Sequence, residues 1–278
     1  FIQFARQRDE TDVQAVTKKT VQAFLAKEAA LVQAVRLNHY REAIERLYDW
    51  LISGQHVTEN PAAGLPKVRE PKRLIAVFTE EEMAALLRQP DTHTFLGLRD
   101  YVFMLVLLDT GVRLSEALGL QVRDLDMKGR TMKVLGKGNK ERVVGFSAIL
   151  EEHLRRYLER RHSALLAIGE GKSPWLFPNQ CGGKAAAKGY QTRLKEYGKE
   201  AGISGVRVSP HTFRHTFAVW FVRKGGSPFH LQKILGHTSL DMSRRYCELA
   251  DVDFITKQQE LSPLATTDLG SQRRKRMR

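Results

Sequence analysis

A short β-rich stretch lies between long helical segments, and it limits the range of compatible folds more than any other part of the sequence. Between about residues 121 and 146, the segments QVRDLDM, RTMKVLG and ERVVGF are separated by the turn sequences KGR and KGNK. Short segments at this spacing predict three antiparallel strands joined by tight turns. On both sides, apolar residues recur every three or four positions, which is typical of amphipathic helices. The sequence therefore predicts a mainly α fold with one small three-stranded antiparallel sheet.

Capping residues place two helix starts and one helix end. Thr17 stands before the periodic residues of VQAFL, and Thr79 is followed three positions later by Glu82, as in a capping box. The long apolar segment RDYVFMLVLLDTG is predicted to end as a helix at Gly111. By the same periodicity, residues 16–52 are predicted to form a small helical unit.

A proline-rich basic segment separates this helical unit from the rest of the chain. Residues 59–74, ENPAAGLPKVREPKRL, combine prolines with lysines and arginines, a composition typical of an extended linker that crosses an acidic partner. We predict a helical domain over residues 1–65, a basic interdomain linker over 66–77, a second domain over 78–262 and a basic tail over 263–278.

The charge balance indicates a polyanionic partner. The chain contains 45 lysines and arginines against 31 acidic residues, a formal net charge of +14, so nucleic acid is the first expectation and an anionic membrane the second. Neither a run of about 18 apolar residues nor a signal-peptide layout occurs, which predicts a soluble, intracellular protein. Cys181 and Cys247 are too few for a disulfide framework or a cysteine-based zinc site. Because the sequence opens at Phe1 within an apolar pattern, we expect that its natural beginning is missing.

The segment HTFRHTFAVWFV places three polar residues on one face of an otherwise apolar helix. At 3.6 residues per turn, His211, Arg214 and His215 fall within one arc. Histidines near a helix start are often satisfied by capping contacts, and that structural role is as well supported by this segment alone as a functional one. A zinc-protease helix would carry a glutamate base where this chain has Thr212, so we predict no metal site here.

Four further segments carry polar residues where packing alone does not require them. Arg113 and Glu116 lie three residues apart in DTGVRLSEALGL, and Glu116 is the local partner for a guanidinium in apolar surroundings. The other candidates are Lys137 and Lys140 in VLGKGNKERVV, His237 in LGHTSL, and Tyr246 in SRRYCEL. Each candidate also fits an ordinary structural role: an ion pair for Arg113 and Glu116, a solvated turn for the lysines, a helix cap for His237 and a packed ring for Tyr246.

Together these residue types are the groups needed to break and rejoin a phosphodiester bond. Two arginines can bind the non-bridging phosphate oxygens bidentately and stabilise the charge of the transition state. A histidine can manage the nucleophile's proton, a lysine ammonium can protonate the departing alkoxide, and a tyrosine hydroxyl can attack to form a covalent ester. Because the ester conserves the bond energy, this set predicts a reaction without ATP, metal or other cofactor.

Geometry does not distinguish the two lysines of the KGNK segment. A two-residue turn at Gly138 and Asn139 is predicted to place Lys137 and Lys140 opposite each other on one face of the hairpin. Either lysine could then donate a proton to a leaving group.

In this arrangement the sequence resembles the tyrosine site-specific recombinases, the phage-integrase family. The segments TGVRLSEALGL, GKGNKERVV, HTFRHTFA and LGHTSL and the tyrosine stand in the family's order and at its usual intervals. The resemblance implies a helical core-binding domain, N-terminally incomplete, and an α+β catalytic domain. The roles that it implies are Arg113 and Arg214 as phosphate clamps, Lys137 as general acid, His211 as acid/base partner, His237 as hydrogen-bond donor to phosphate or tyrosine, Tyr246 as nucleophile, and Glu116 as the residue that orients Arg113.

The resemblance also implies the partners and the course of the reaction. Attack by Tyr246 would give a 3′-phosphotyrosyl link and a free 5′-hydroxyl, followed by strand exchange through a Holliday junction. The assembly would be a homotetramer of C-shaped clamps on double-stranded DNA recombination sites, aided by DNA-bending proteins. The segment from Asp251 onward would dock on a neighbouring subunit, although packing within its own subunit is about equally well supported by the sequence. The implied location is the cytoplasm, with the nucleoid. Residues expected to contact DNA are Lys140, Arg142, Lys67, Arg69, Lys72 and Arg73.

Two other hypotheses share part of this pattern. A type IB topoisomerase would use similar chemistry only to relax supercoils, and a non-catalytic DNA-binding protein would keep the clamp without the reaction. The matches in GKGNKERVV and LGHTSL favour the recombinase over the topoisomerase, and the complete set of reactive residues argues against the second alternative.

Overall fold

The chain folds as two compact units, Phe1–Arg73 and Leu74–Arg278. The boundary lies within the segment 66–77 for which we predicted a linker. Each unit has its own buried apolar core, as is expected of separate domains. The computed structural model describes residues 1–70, 75–236, 239–250, 258, 259 and 262, without the side chains of Lys137 and Asp241.

The first unit is helical around a small apolar core. Its helices are α1 (Ile2–Arg6), α2 (Lys18–Ala29) and α3 (Ala34–Ser53). The predicted cap at Thr17 is confirmed, because its hydroxyl accepts a hydrogen bond from the backbone N–H of Thr20. The buried apolar residues of this unit are Val21, Phe24, Ile44, Tyr48, Leu51, Ala62 and Leu65.

A buried asparagine holds the end of the first unit against α3. The Asn38 side chain accepts the backbone N–H of Val68 at 2.9 Å and donates to the Val68 carbonyl at 3.0 Å. It also donates to Glu70 Oε1 at 2.7 Å. Because one amide satisfies both backbone groups of Val68, it replaces the partner that a neighbouring strand would supply. The segment around Lys67 and Arg69 is therefore attached to the helical unit.

The second unit is a helical domain built around α5. Its helices are α4 (Glu80–Leu87), α5 (Phe95–Thr110), α6 (Leu114–Gly119), α7 (Ala148–Ala167), α8 (Ala187–Glu200), α9 (Pro210–Arg223), α10 (Pro228–Leu235) and α11 (Asp241–Leu249). The predicted capping box of Thr79 and Glu82 is confirmed at the start of α4. Helix α5 packs against both α7 and α9, which explains why its sequence is apolar nearly all round. It ends at Gly111, as predicted, in a left-handed conformation with φ of 62°.

The predicted sheet is confirmed. Strands β1 (Leu125–Asp126), β2 (Thr131–Leu135) and β3 (Glu141–Gly145) are antiparallel in the order β1-β2-β3. Met132, Val134 and Val144 are buried on one face of the sheet. The β2–β3 register runs from Thr131 opposite Gly145 to Leu135 opposite Glu141. The strands thus present one apolar face to the core and extend a hairpin beyond it.

The predicted two-residue turn at the hairpin tip is wrong. The backbone N–H of Gly136 donates to the Lys140 carbonyl at 2.8 Å, and residues Lys137–Asn139 form the turn between them, with non-helical backbone angles at Gly138. This hydrogen bond encloses three residues rather than two, and Gly138 and Asn139 both have positive φ, 73° and 60°. Lys137 therefore lies within the turn and not opposite Lys140.

Candidate functional site

The junction between α5 and α6 presents Arg113 beside a buried carboxylate. Arg113 is the N-cap of α6, and its backbone N–H donates to Glu116 Oε2 at 2.8 Å. Its Nη1 donates to Glu116 Oε1 at 2.9 Å. The Glu116 side chain is 2% exposed and that of Arg113 is 37% exposed. Glu116 therefore orients a guanidinium group that is still accessible from outside.

A second arginine, Arg142 of β3, binds the same carboxylate from the side of the sheet. Its Nη1 donates to Glu116 Oε1 at 2.9 Å and its Nη2 to Oε2 at 2.8 Å, while its Nε donates to the carbonyl of Ile234 at 2.8 Å. All three guanidinium nitrogens thus donate to protein acceptors, and the side chain is only 15% exposed. This placement does not support the DNA contact that the sequence led us to expect of Arg142. The residue instead joins β3 to α6 and to the end of α10.

The two arginines keep Glu116 ionised. Burial opposes the charged form, but hydrogen bonds from Arg142 and from the backbone and side chain of Arg113 outweigh it and lower the pKa to about 2. Because the pKa is lower in the folded state, the stabilisation is present above the ordinary carboxylate pKa and is lost as the pH falls towards 2.

Arg214 is held from two sides at the start of α9. Ser209 caps this helix and Pro210 occupies its first position. Arg214 Nη1 donates to the carbonyl of Gly111 at 2.8 Å, and its Nη2 donates to the carbonyl of Leu235 at 2.7 Å. The residue is only 6% exposed. Its position therefore depends on the end of α5 and on the last turn of α10.

Arg113 and Arg214 create a site that an anion would stabilise. Burial, followed by the charge of Arg113, lowers the pKa of Arg214 to about 10, with an opposing contribution from Glu116. Arg214 nevertheless remains a cation at neutral pH. Two guanidinium groups close enough to repel each other favour a shared anionic ligand. The paired N–H groups of a guanidinium can donate two parallel hydrogen bonds to phosphate oxygens.

The Tyr246 hydroxyl contacts a histidine that was not among the predicted catalytic residues. Its oxygen lies 2.8 Å from His215 Nδ1, and Tyr246 is only 1% exposed. Burial, followed by the charges of His211 and Arg214, lowers the pKa of His215 to about 4. Burial also raises the pKa of Tyr246. At neutral pH both groups are uncharged, and the tautomer of the imidazole decides which of them donates the hydrogen bond.

The other predicted residues are distributed as follows. His211 is exposed on the first turn of α9, one turn before His215. Lys140 is exposed next to the hairpin turn. Lys67 and Arg69 are exposed in the first unit, where Lys67 Nζ lies 3.2 Å from Glu42 Oε1. The side chain of Lys137 and the predicted residues Lys72, Arg73 and His237 lie outside the described residues.

Sequence reasoning missed the positions of His215 and Arg142 relative to the site. The helical period placed His215 on the polar face of α9, but its contact with Tyr246 spans 31 residues. The contact of Arg142 with Glu116 spans 26 residues. No local rule relates residues at such separations, although the ability of arginine to bind a carboxylate with two parallel hydrogen bonds was a usable signal.

Neither a metal-binding cluster nor a membrane-spanning helix occurs in the described part of the chain. It contains no group of three or more histidine, cysteine, aspartate and glutamate side chains arranged to hold a metal ion. In the same residues, no helix combines the length and the apolar character needed to cross a bilayer.

Comparison with known proteins places this arrangement among DNA recombinases. A sequence profile of the phage integrase family matches residues 76–252. Tyrosine recombinase XerC from Myxococcus xanthus is 35% identical over 208 residues, 74% of this chain and 69% of the relative. Tyrosine recombinase XerD from Yersinia pestis is 30% identical over 241 residues, 86% of this chain and 80% of the relative. The fold is similar, at a TM-score of 0.73 and 22% identity, to the XerH site-specific recombinase bound to palindromic difH substrate in a post-cleavage complex, covering 90% of this chain and 74% of that one.

Proposed function

The chain belongs to the phage integrase family of tyrosine recombinases, enzymes of site-specific recombination that cut and rejoin DNA, and from this premise we propose that Tyr246 is the nucleophile. Attack of its hydroxyl oxygen on a backbone phosphorus forms a 3′-phosphotyrosyl ester and releases the 5′-oxygen. Rejoining reverses this step: a 5′-hydroxyl attacks the ester and frees the tyrosine. The number of phosphoester bonds is unchanged, so neither ATP nor metal is required.

The gathering of Arg113, Arg214 and Tyr246 carries this proposal. They come from the α5–α6 junction, α9 and α11. The charge of Arg113 lowers the pKa of Arg214, and the charge of Arg214 acts on the pKa of Tyr246 in the same direction, against the effect of burial. Two cations beside a phenol match a phosphodiester and its attacking group. Their forks would bind the non-bridging oxygens and stabilise the charge that develops at phosphorus.

Two proton transfers accompany the cleavage step. The phenolic proton leaves Tyr246 as its oxygen bonds to phosphorus, and His211 is the acid/base partner that we assign to it. The 5′-oxygen takes a proton from Lys137, the assigned general acid, and His237 donates a hydrogen bond to the phosphate or the tyrosine. The Tyr246 hydroxyl also lies 2.8 Å from His215 Nδ1.

Tyr246 must become accessible before it can react. At 1% exposure its oxygen cannot meet a phosphate of a DNA duplex. We propose that DNA binding shifts α11, which packs against α9 and α10, and separates the hydroxyl from His215. The cost of breaking one hydrogen bond between neutral groups is about 1 kcal/mol, which the binding energy of phosphate contacts can supply.

The proposed assembly is a homotetramer on double-stranded recombination sites. Strand exchange would pass through a Holliday junction, with the segment from Asp251 onward docking on a neighbouring subunit and DNA-bending proteins as accessory partners. An apolar groove on the second unit supports such docking: its lining includes Leu105, Phe217, Trp220, Phe221 and Ile234, and its volume is about 510 Å³.

The substitution Tyr246→Phe tests the nucleophile. Sequencing DNA trapped covalently on the wild-type protein would define the target site, and a nicked suicide duplex carrying that site is then the substrate. We expect Tyr246→Phe to bind this duplex with wild-type affinity and to form no covalent complex, because only the attacking oxygen is removed. Tyr197→Phe is the matched control, since it removes a hydroxyl that donates to Asp100 at 3.0 Å. A covalent complex that persists in Tyr246→Phe would reassign the nucleophile.

A further inference from the structure

The hairpin that carries Lys137 is fastened to the phosphate-binding arginine through Arg142. We propose that Arg142 is a positioning residue for proton transfer to the leaving oxygen: it holds the β2–β3 hairpin against Glu116 and so sets Lys137 relative to the phosphate bound by Arg113. This inference rests on the proposed roles of Lys137 and Arg113.

Glu116 is shared evenly by the two arginines. Its Oε1 accepts from Arg113 Nη1 and Arg142 Nη1, both at 2.9 Å. Its Oε2 accepts from the Arg113 backbone N–H and Arg142 Nη2, both at 2.8 Å. The carboxylate is therefore a bridge with two contacts on each side, and any displacement of β3 changes the contacts that orient Arg113. Without Arg142, half of the hydrogen bonds to a buried charge are lost.

The backbone next to Lys137 packs directly on this bridge. A Cβ added to Gly136 would lie 3.4 Å from Arg142 Nη1 and 3.5 Å from Glu116 Oε1. The N–H of Gly136 also closes the hairpin turn on the Lys140 carbonyl at 2.8 Å. Gly136 therefore lies beside the ion pair and also closes the turn, so the start of the turn and the ion pair are neighbours.

Arg142 also connects the hairpin to the end of α10, which holds the second phosphate-binding arginine. Its Nε binds the carbonyl of Ile234, and Arg214 Nη2 binds the carbonyl of the next residue, Leu235. These are carbonyls of the last turn of α10, which have no acceptor role within the helix. A lysine could not replace Arg142 fully, because one ammonium group cannot make the two parallel bonds to a carboxylate and a third bond in a different direction.

The test compares cleavage of two duplexes that differ only in the 5′-bridging atom, oxygen or sulfur. A thiolate leaves without a proton, so a defect in general-acid catalysis, worth about 10²–10⁴-fold, disappears on the sulfur duplex. In single-turnover reactions, we expect Arg142→Ala to cleave the oxygen duplex about 10–100-fold more slowly and to regain most of that loss on sulfur. Arg142→Lys, which keeps the charge, should lie between this variant and the wild type.

Three other variants serve as references. Lys137→Ala should show the full defect and the full recovery on sulfur, and Arg113→Ala should be slow on both duplexes. Arg161→Ala removes another buried arginine, whose Nε and Nη2 donate to backbone carbonyls of residues 173 and 175, without touching Glu116. Its loss of activity, if any, should be equal on both duplexes. Equal slowing of Arg142→Ala on both duplexes, beside a Lys137→Ala that recovers, would overturn the proposal.

A second measurement, amide hydrogen exchange, reports the local stability of the hairpin turn independently of the cleavage reaction. We expect the amide hydrogen of Gly136 to exchange at least about tenfold faster in Arg142→Ala and Arg142→Lys, and not in Arg161→Ala, because the turn loses its anchor. If Lys137→Ala does not recover on sulfur, the assigned role of Lys137 fails, and exchange at Gly136 still tests the anchor. Unchanged exchange in both Arg142 variants would show that Arg142 does not hold the hairpin.

Discussion

Tyr246 is buried beside a histidine whose own environment keeps it neutral. The imidazole of His215 is surrounded by groups that disfavour its protonation: burial has the largest effect, followed by the charges of His211 and Arg214. The folded protein therefore binds a proton at His215 less readily than the unfolded chain does. The Tyr246 hydroxyl lies 2.8 Å from His215 Nδ1, so the reacting oxygen proposed here is beside an imidazole that stays neutral at pH 7.

The substitution His215→Gln should reduce the dependence of stability on pH. His215 has a pKa of about 4 when folded and 6.5 ordinarily, so its stabilisation is full above pH 6.5 and is lost as the pH falls towards 4. We expect the free energy of unfolding in urea to fall more between pH 7 and pH 5 in the wild type than in His215→Gln. Glu116 contributes equally to both proteins. Parallel curves would mean that His215 is not shielded from protons.

The α5–α6 junction connects the end of α5 to Arg214, one of the two arginines that we propose bind phosphate. Gly111 ends α5 with a positive φ, and its carbonyl accepts the Nη1 of Arg214. A Cβ at this position would lie 2.3 Å from Phe217 Cδ1 and 2.8 Å from Leu235 Cδ2. The glycine is thus required both by the left-handed backbone and by the close approach of α9 and α10.

The substitution Gly111→Ala should therefore cost more than backbone strain alone. Gly169→Ala is the matched control, because Gly169 also has positive φ but a Cβ there meets nothing within 4 Å. We expect a loss of about 1 kcal/mol in the control, from the left-handed conformation, and about 2–4 kcal/mol in Gly111→Ala, which adds overpacking. Only Gly111→Ala should also slow DNA cleavage, by displacing Arg214. Urea unfolding and single-turnover cleavage measure the two effects, and equal losses in both variants would contradict the argument.

The net charge of +14 is a property of the whole chain, and part of it lies beside the unit boundary. Lys67 and Arg69 are exposed on the segment that Asn38 attaches to α3. The pairing of Lys67 with Glu42 is solvent-exposed and is therefore worth little. These charges can be redirected to a phosphate backbone at small cost.

Replacing Lys67, Arg69, Lys72 and Arg73 by glutamine should make DNA binding less sensitive to salt. Each phosphate contact releases counterions, so its loss lowers the slope of log K against log salt by about 0.9. We expect a smaller slope on specific and unrelated sequences alike, measured by titration from low to moderate salt. An unchanged slope would show that this segment does not follow the DNA backbone.

Local sequence rules determined the fold class, the helix ends and the type of chemistry. The caps at Thr17 and Thr79, the end of α5 at Gly111 and the three strands depend on residues within a few positions of one another, so they can be predicted without tertiary contacts. The identities of the reactive residues were also available, because their chemistry is intrinsic to the side chains. Their catalytic roles stay predictions.

Only the tertiary structure decided which of these side chains meet. The sequence suggested that Arg142 is a surface cation, but each of its three guanidinium nitrogens donates a hydrogen bond to α6 or to the end of α10. The hairpin turn took three residues rather than two, and it is closed by the hydrogen bond from the Gly136 N–H to the Lys140 carbonyl. The contact of His215 with Tyr246 joins α9 to α11 across 31 residues. Such contacts follow from how helices and strands pack, and packing depends on the whole core rather than on neighbours in sequence.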